Sequence, residues 1–274
     1  MELFGQSLGL GAIGLVAGLI GAVIAALATR SKTSTLTSYV QHFAAGLIIA
    51  AATLDLLPEA LDLGGGWALI IGFVVGTAFM LALRAVLNTL GHAHGPEDAD
   101  AHGHDHGPTH GHAPGHHGSQ TAVAGRTFTR GVNLRLAIAL AIVVMIDGAI
   151  IGVAISAGGA AALLIAIALS IELLFVAASI AGSTRANGGT VGTAVGVGAF
   201  VSVMMPIGAV LGALVFAGAS TPFLIAGLAF GAAALLFTAV AELLVEAYEI
   251  KESTGTIAMA AGGFLLFLVL MMLM

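Results

Sequence analysis

The sequence predicts an all-α integral membrane protein whose chain crosses the bilayer eight times. Composition is the first reason. Of 274 residues, 59% are hydrophobic and 8% charged, and the mean hydropathy of +1.09 lies far above that of a soluble domain. The second reason is eight apolar runs of about 20 residues, long enough for a helix to cross hydrocarbon with its backbone satisfied internally. They cover approximately 7–28, 37–61, 67–90, 133–156, 160–182, 191–217, 222–247 and 255–274. The third is the placement of basic residues: with eight crossings, Arg30, Lys32, Arg84, Arg126, Arg130, Arg135, Arg185 and Lys251 all fall on one side. By the positive-inside rule that side is cytoplasmic. Both termini are then expected outside, in a multi-pass protein of the inner (plasma) membrane whose first partner is the lipid bilayer.

Cysteine is absent, which excludes disulfides and thiolate metal sites. The formal charge of −6 says little because acids and bases are segregated, and no nucleic-acid partner is expected. Met1-Glu2-Leu3-Phe4 offers no basic start, so no cleavable signal peptide is expected.

The first run carries Gly9, Gly11, Gly14, Gly18 and Gly21, with Gly14 and Gly18 forming a small-xxx-small ridge for close helix packing. The second run begins His42-Phe43-Ala44-Ala45-Gly46 and ends Asp55-Leu56-Leu57-Pro58-Glu59-Ala60. Asp55 and Glu59, four apart, share a helix face and could line an outer approach. The seventh run repeats this pattern: Phe43 to Ala60 aligns without a gap on Phe230 to Ala247, placing Glu242 and Glu246 on Asp55 and Glu59. Because the second and seventh crossings run in opposite directions, the match is that of an inverted-topology repeat, with an acidic pair at each mouth.

The one long polar segment separates the third and fourth runs. Nine of the ten histidines lie in it, His92, His94, His102, His104, His106, His110, His112, His116 and His117, among Gly, Pro and Asp. Such a composition builds no core and is expected to be disordered. Its neutral imidazoles suit zinc, nickel, copper or iron, so the loop is expected to bind metal weakly and multivalently.

The fourth and fifth runs each hold one central carboxylate, Asp147 and Glu172. A charged side chain at mid-membrane costs roughly 2.5–3.5 kcal/mol on insertion scales, and such residues usually face a cavity, pair, or bind a cation. The short connection between these runs predicts an antiparallel hairpin in which the two acids can approach one another. One divalent cation between them would offset their desolvation; without it, like-charge repulsion favours protonation of one. In the sixth run Met204-Met205-Pro206 predicts a kink and packing, with Met205 also a candidate thioether ligand. The eighth run is uniformly apolar and is expected to face lipid.

Together these features resemble the ZIP family of divalent-metal transporters. The resemblance rests on eight helices with outside termini, the His-rich loop between helices 3 and 4, His42-Phe-Ala-Ala-Gly46 with Leu56-Leu-Pro-Glu-Ala60, and Asp147-Gly-Ala-Ile-Ile-Gly-Val-Ala154. It covers nearly the whole chain. It implies a three-two-three arrangement in which helices 1–3 and 6–8 are inverted repeats flanking 4 and 5. It also implies uptake of zinc, iron, manganese or cadmium as substrate through a site on helices 4 and 5. The family's helix-4 motif, His-Asn-x-Pro-Glu-Gly or His-Asn-x-x-Asp-Gly, places its acid at Asp147 and its glycine at Gly148. Glu172 falls on the helix-5 acid when Glu172-Leu-Leu-Phe-Val-Ala is laid on Glu-Gly-Leu-Ala-Val-Ala. The motif His and Asn are here Val143 and Val144, its proline is Ile146, a helix-5 His or Gln is Ala168, and a helix-6 glutamate of some members is Met205. The remaining oxygen donors favour harder cations and hold late transition metals less tightly.

The chain accordingly divides into helices 1–3 (1–90), the cytoplasmic His-rich loop (91–132), the metal-site helices 4–5 (133–182) and helices 6–8 (183–274). The expected function is ZIP-like transport of divalent metal ions into the cytoplasm. The metal ligands would be Asp147, Glu172 and Met205, and the approaches Asp55, Glu59, Glu242 and Glu246. Neither an organic cofactor nor an enzymatic activity is expected; there is no His-Glu-x-x-His helix. A homodimer is compatible with the sequence. Two other readings stay open: a non-transporting relative acting as a membrane-anchored metal-binding or regulatory protein, and a proton-coupled carrier of another solute.

Overall fold

The computed structural model describes residues 2–28, 34–92, 131–158, 162–245 and 254–273. Eight helices in it are long and apolar enough to cross a membrane. They are built on α1 (Glu2–Leu27), α2 (Ser34–Ala50), α3 (Gly66–His92), α4 (Leu134–Ser156), α5 (Ala162–Ala186), α6 (Val191–Phe216), α7 (Thr221–Phe237) and α8 (Thr254–Leu273), where α2 and α7 reach membrane length only with their continuations, as Ser38–Asp62 and Thr221–Ala241. A wider π-helical stretch, Ala51–Leu56, continues α2 and passes into a last α-helical turn, Leu57–Asp62. A second π stretch, Thr238–Leu243, continues α7.

Local chemistry sets the ends. Asn133 caps α4 by accepting from the Leu136 amide at 3.2 Å, and Thr190 caps α6 by accepting from Thr193 at 3.1 Å. α1 starts at Glu2, ahead of its apolar run, because an acid in the first turn complements the helix dipole. α5 outlasts its apolar run: the Thr184 hydroxyl donates to the Ile180 carbonyl at 2.8 Å, and Arg185 Nη1 donates to the Gly189 carbonyl at 2.7 Å. Gly188, at φ +85°, makes the left-handed turn into α6.

Between lipid-facing helices there is no hydrophobic drive to associate, so close backbone approach has to hold them. α4 packs most extensively on α6, with Gly148 and Gly152 of one against Gly208 and Gly212 of the other. A methyl group at any of the four would collide with backbone of the facing helix. α1 packs on both α5 and α6: Gly11, Gly14 and Gly18 lie over Pro206, Met205 and Ser202, and Gly21 abuts the Leu174 carbonyl. α2 packs on α8, where Gly263 abuts the Phe43 carbonyl, and α3 packs on α7, where Gly76 abuts the Phe230 carbonyl.

These contacts share one register. Phe230 follows Phe43 by 187 positions, and so does Gly263 follow Gly76 and Gly208 follow Gly21. The π stretch at 238–243 falls on the one at 51–56 at the same separation. Exchanging helices 1, 2 and 3 with 6, 7 and 8, and 4 with 5, thus turns the α2–α8 contact into α7–α3 and α1–α5 into α6–α4.

Two expectations change. α8 is not wholly lipid-facing, since Thr256, Gly263 and Phe267 are buried and α2 is its main neighbour. α4 and α5 touch, but not as a closely packed hairpin: the glycine faces of α4 and α1 draw them to α6 and α1 respectively. α6 runs through Pro206 as one helix, and Pro206 packs against Gly11 of α1.

Gly212→Ala should lower the thermal unfolding midpoint of the purified protein, as overpacking typically costs about 1–3 kcal/mol. Gly196→Ala, on the same helix with open space around its Cβ, should leave it unchanged or raise it through a gain of about 0.5–1 kcal/mol in helix propensity.

Candidate functional site

Asp147 and Glu172 are the two acids of the described residues that are more than nine-tenths buried, at 5% and 3% exposure. Asp147 lies off the glycine face that meets α6. It sits on the stripe Val144, Asp147, Ile151 and Ala154, whose spacing of three and four keeps it on one side of the helix. Glu172 shares a stripe of α5 with Ile165 and Leu169. The apolar members of both stripes belong to one continuous core cluster, so both carboxylates are turned into the same interior.

Their depths also agree. Gly21 against the Leu174 carbonyl and Gly208 against the Met145 carbonyl are matched contacts, so Met145 and Leu174 are matched residues. Each is the middle residue of its helix. Asp147 comes two residues after Met145, and Glu172 two before Leu174. Because the two helices run in opposite directions, both acids are displaced from the centre to the same side, by about 3 Å at 1.5 Å per residue. In this register Glu172 matches Val143 and Asp147 matches Val176.

Met205 is fully buried, and its placement favours packing. Its sulfur rests over Gly14 of α1, while its backbone carbonyl meets α4 at Gly148. Asp55 lies within the first π stretch and Glu59 in the turn after it, both half-buried. Glu242 belongs to the second π stretch. Glu246 lies outside the described residues, as do His94, His102, His104, His106, His110, His112, His116 and His117; His92 is the last residue of α3. Among the described residues no three His, Asp or Glu side chains come together as a metal site. An ion held by the two acids would therefore take its other ligands from water, hydroxyls or backbone carbonyls.

Sequence reasoning used His42 only as part of a motif. The structure buries it completely, next to buried Gln41 and Ser38, with Nδ1 2.8 Å from the Ser38 carbonyl. The available signal was that His42 is the one histidine outside the polar loop.

The sequence matches no model of a known protein family, and no curated protein matches it.

Met205→Leu, which conserves volume, should cost less than about 1.5 kcal/mol, and Met205→Ala about 2–5 kcal/mol. Chemical denaturation of the purified variants checks this. Equal destabilisation by both would exclude the packing role over Gly14.

Proposed function

We propose that the chain is a ZIP-like transporter that carries divalent metal ions across the membrane into the cytoplasm, using Asp147 and Glu172 as a shared mid-membrane ion site. The observation that carries this reading is the burial of two carboxylates at one depth in one interior of an eight-helix membrane bundle. Each is expensive to ionise there, and a doubly charged guest offsets that cost for both at once. A purely structural role needs no such coincidence of depth on two helices whose main neighbours are elsewhere.

The constant register of 187 positions supports an inverted-repeat architecture, in which the two copies rock about the central site to open it alternately to each side. Asp55 lies in the first π distortion, Glu59 follows it and Glu242 lies in the second, and such distortions of α-helices often accompany functional sites. On this reading the acidic segments form the two approaches, and the His-rich loop gathers the delivered ion as a buffer or sensor. Oxygen donors without a motif imidazole favour manganese or iron(II) over the later transition metals.

In proteoliposomes, Asp147→Asn and Glu172→Gln should each reduce metal accumulation to the level of protein-free vesicles, with unfolding midpoints at or above the parent's. Deleting residues 92–117 should leave accumulation through the helices intact. Parental uptake by the Asp147→Asn, Glu172→Gln double variant would rule out the central site, and loss of uptake on loop deletion alone would favour the membrane-anchored metal binder.

A further inference from the structure

We propose that the groove between the first turns of α4 and α6 is a docking site for an anionic phospholipid, which lays an acyl tail along it and its phosphate toward Arg185 and Arg135. Where Gly148 and Gly152 meet Gly208 and Gly212, these two helices are in backbone contact. Toward their starts a groove of about 550 Å³ lies between Leu134 and Ala137 of α4 and Thr193, Val197 and Phe200 of α6. Gly192 and Gly196 also line it, and a Cβ at either would meet no other helix among the described residues. Glycine weakens a helix interior, and unlike Gly208 and Gly212 these two admit no neighbouring backbone. The room they leave opens to the membrane.

The separation of 187 positions reproduces this groove. It takes Gly192, Thr193, Gly196 and Val197 to Gly5, Gln6, Gly9 and Leu10, and the register matching Met145 with Leu174 takes Leu134 to Leu163. Gln6, Gly9, Leu10 and Leu163 line a groove of about 540 Å³ between α1 and α5, with open space at both Gly5 and Gly9. It lies at the opposite end of the bundle, because α1 runs antiparallel to α6: Gly11 faces Pro206 and Gly18 faces Ser202. From Thr190 to Phe200 the groove is about 15 Å long at 1.5 Å per residue. That is half of a hydrocarbon core of roughly 30 Å, the reach of a lipid tail in one leaflet.

Charge separates the two grooves and selects the headgroup. The segments leading into α4 and α6 touch, Gly131 lying against Asn187 and Gly189. Arg185 donates through Nη1 to the Gly189 carbonyl, which holds its guanidinium at the mouth of the groove beside Thr190. Arg135, exposed in the first turn of α4 next to Leu134, adds a second positive charge. Guanidinium groups favour phosphate through charge-assisted hydrogen bonds. At the matched groove these residues are Leu164 and Ser156, and the first turn of α1 holds Glu2. A second copy of the chain suits the basic groove less well, because a two-fold contact there would set Arg135 and Arg185 against their own counterparts. The docking rests neither on the transport reading nor on which side is cytoplasmic.

Native mass spectrometry of the full-length chain, titrated with phosphatidylglycerol and with phosphatidylcholine of the same tails, reads lipid occupancy and oligomeric state together. The parent should hold one phosphatidylglycerol more tightly than phosphatidylcholine. Arg185→Gln and Arg135→Gln should each weaken that binding about fivefold, the weight of one basic residue beside anionic lipid. Arg185→Lys should retain it. Gly196→Leu, which fills the groove without meeting another helix, should abolish the preference at an unchanged unfolding midpoint, and Gly9→Leu in the matched groove should not. Equal affinity of the parent for the two lipids, or an undiminished preference in Gly196→Leu, overturns the proposal. So does displacement of the lipid by inorganic phosphate, which would leave the groove no part in binding. A parental dimer that Gly196→Leu splits would give the groove to a second copy of the chain and overturn it equally.

Discussion

The structure depends on backbone meeting backbone at glycine. Lipid tails solvate Leu and Ile as well as a neighbouring helix does, so apolar side chains alone give two helices little reason to stay together. Gly148 and Gly152 against Gly208 and Gly212 remove that difficulty by bringing α4 and α6 close enough for dense van der Waals contact. The same device fastens α1 to α5 and α6, α2 to α8, and α3 to α7. Where such a contact sets a carbonyl against a particular glycine, as at Gly21, Gly148, Gly208, Gly212 and Gly263, it fixes both the depth and the rotation of the helices involved. Asp147 and Glu172 inherit their common level from Met145 and Leu174, which those contacts hold.

Much of this was legible in the sequence. Long apolar runs, charge placement and the ridge at Gly14 and Gly18 gave eight helices and a close-packing face on the first. The central acids stood out because each is the one acid in its run. Helix partners were harder to read, since small-residue faces look alike on α1, α4 and α6 and do not name what they pack on. A three-residue connection suggested that α4 and α5 pair closely, but glycine geometry outweighed chain proximity. The π stretches, Ala51–Leu56 and Thr238–Leu243, are composed like the helices around them and carry no local signature. His42, beside Gln41 and Ser38 at the start of its run, carries no periodic signal; burial and the Ser38 carbonyl mark it out.

The matched register also shows how the two halves have diverged. Positions 143 and 147 of α4 correspond to 172 and 176 of α5, and each pair holds one acid and one valine, in opposite order. The bundle thus carries two carboxyl groups near its centre where four matched positions exist. Two carboxyl groups rather than four reduce the desolvation that burial imposes. On α2 the divergence runs the other way, with polar groups present where α7 has Ile225, Leu228 and Ala229.

The distortion in α2 also bears on which residues can look inward. Ile48, Ala52, Leu56 and Ala60 all lie in the core cluster, although they are spaced by four throughout. On an undistorted α-helix each step of four overshoots the full turn by about 40°, so a stripe of this kind drifts away around the cylinder. A locally wider winding cancels the drift. A single face of α2 therefore stays turned to the interior for the whole depth of the bundle, and its last turn is aimed by the coil beneath it rather than by its own residues.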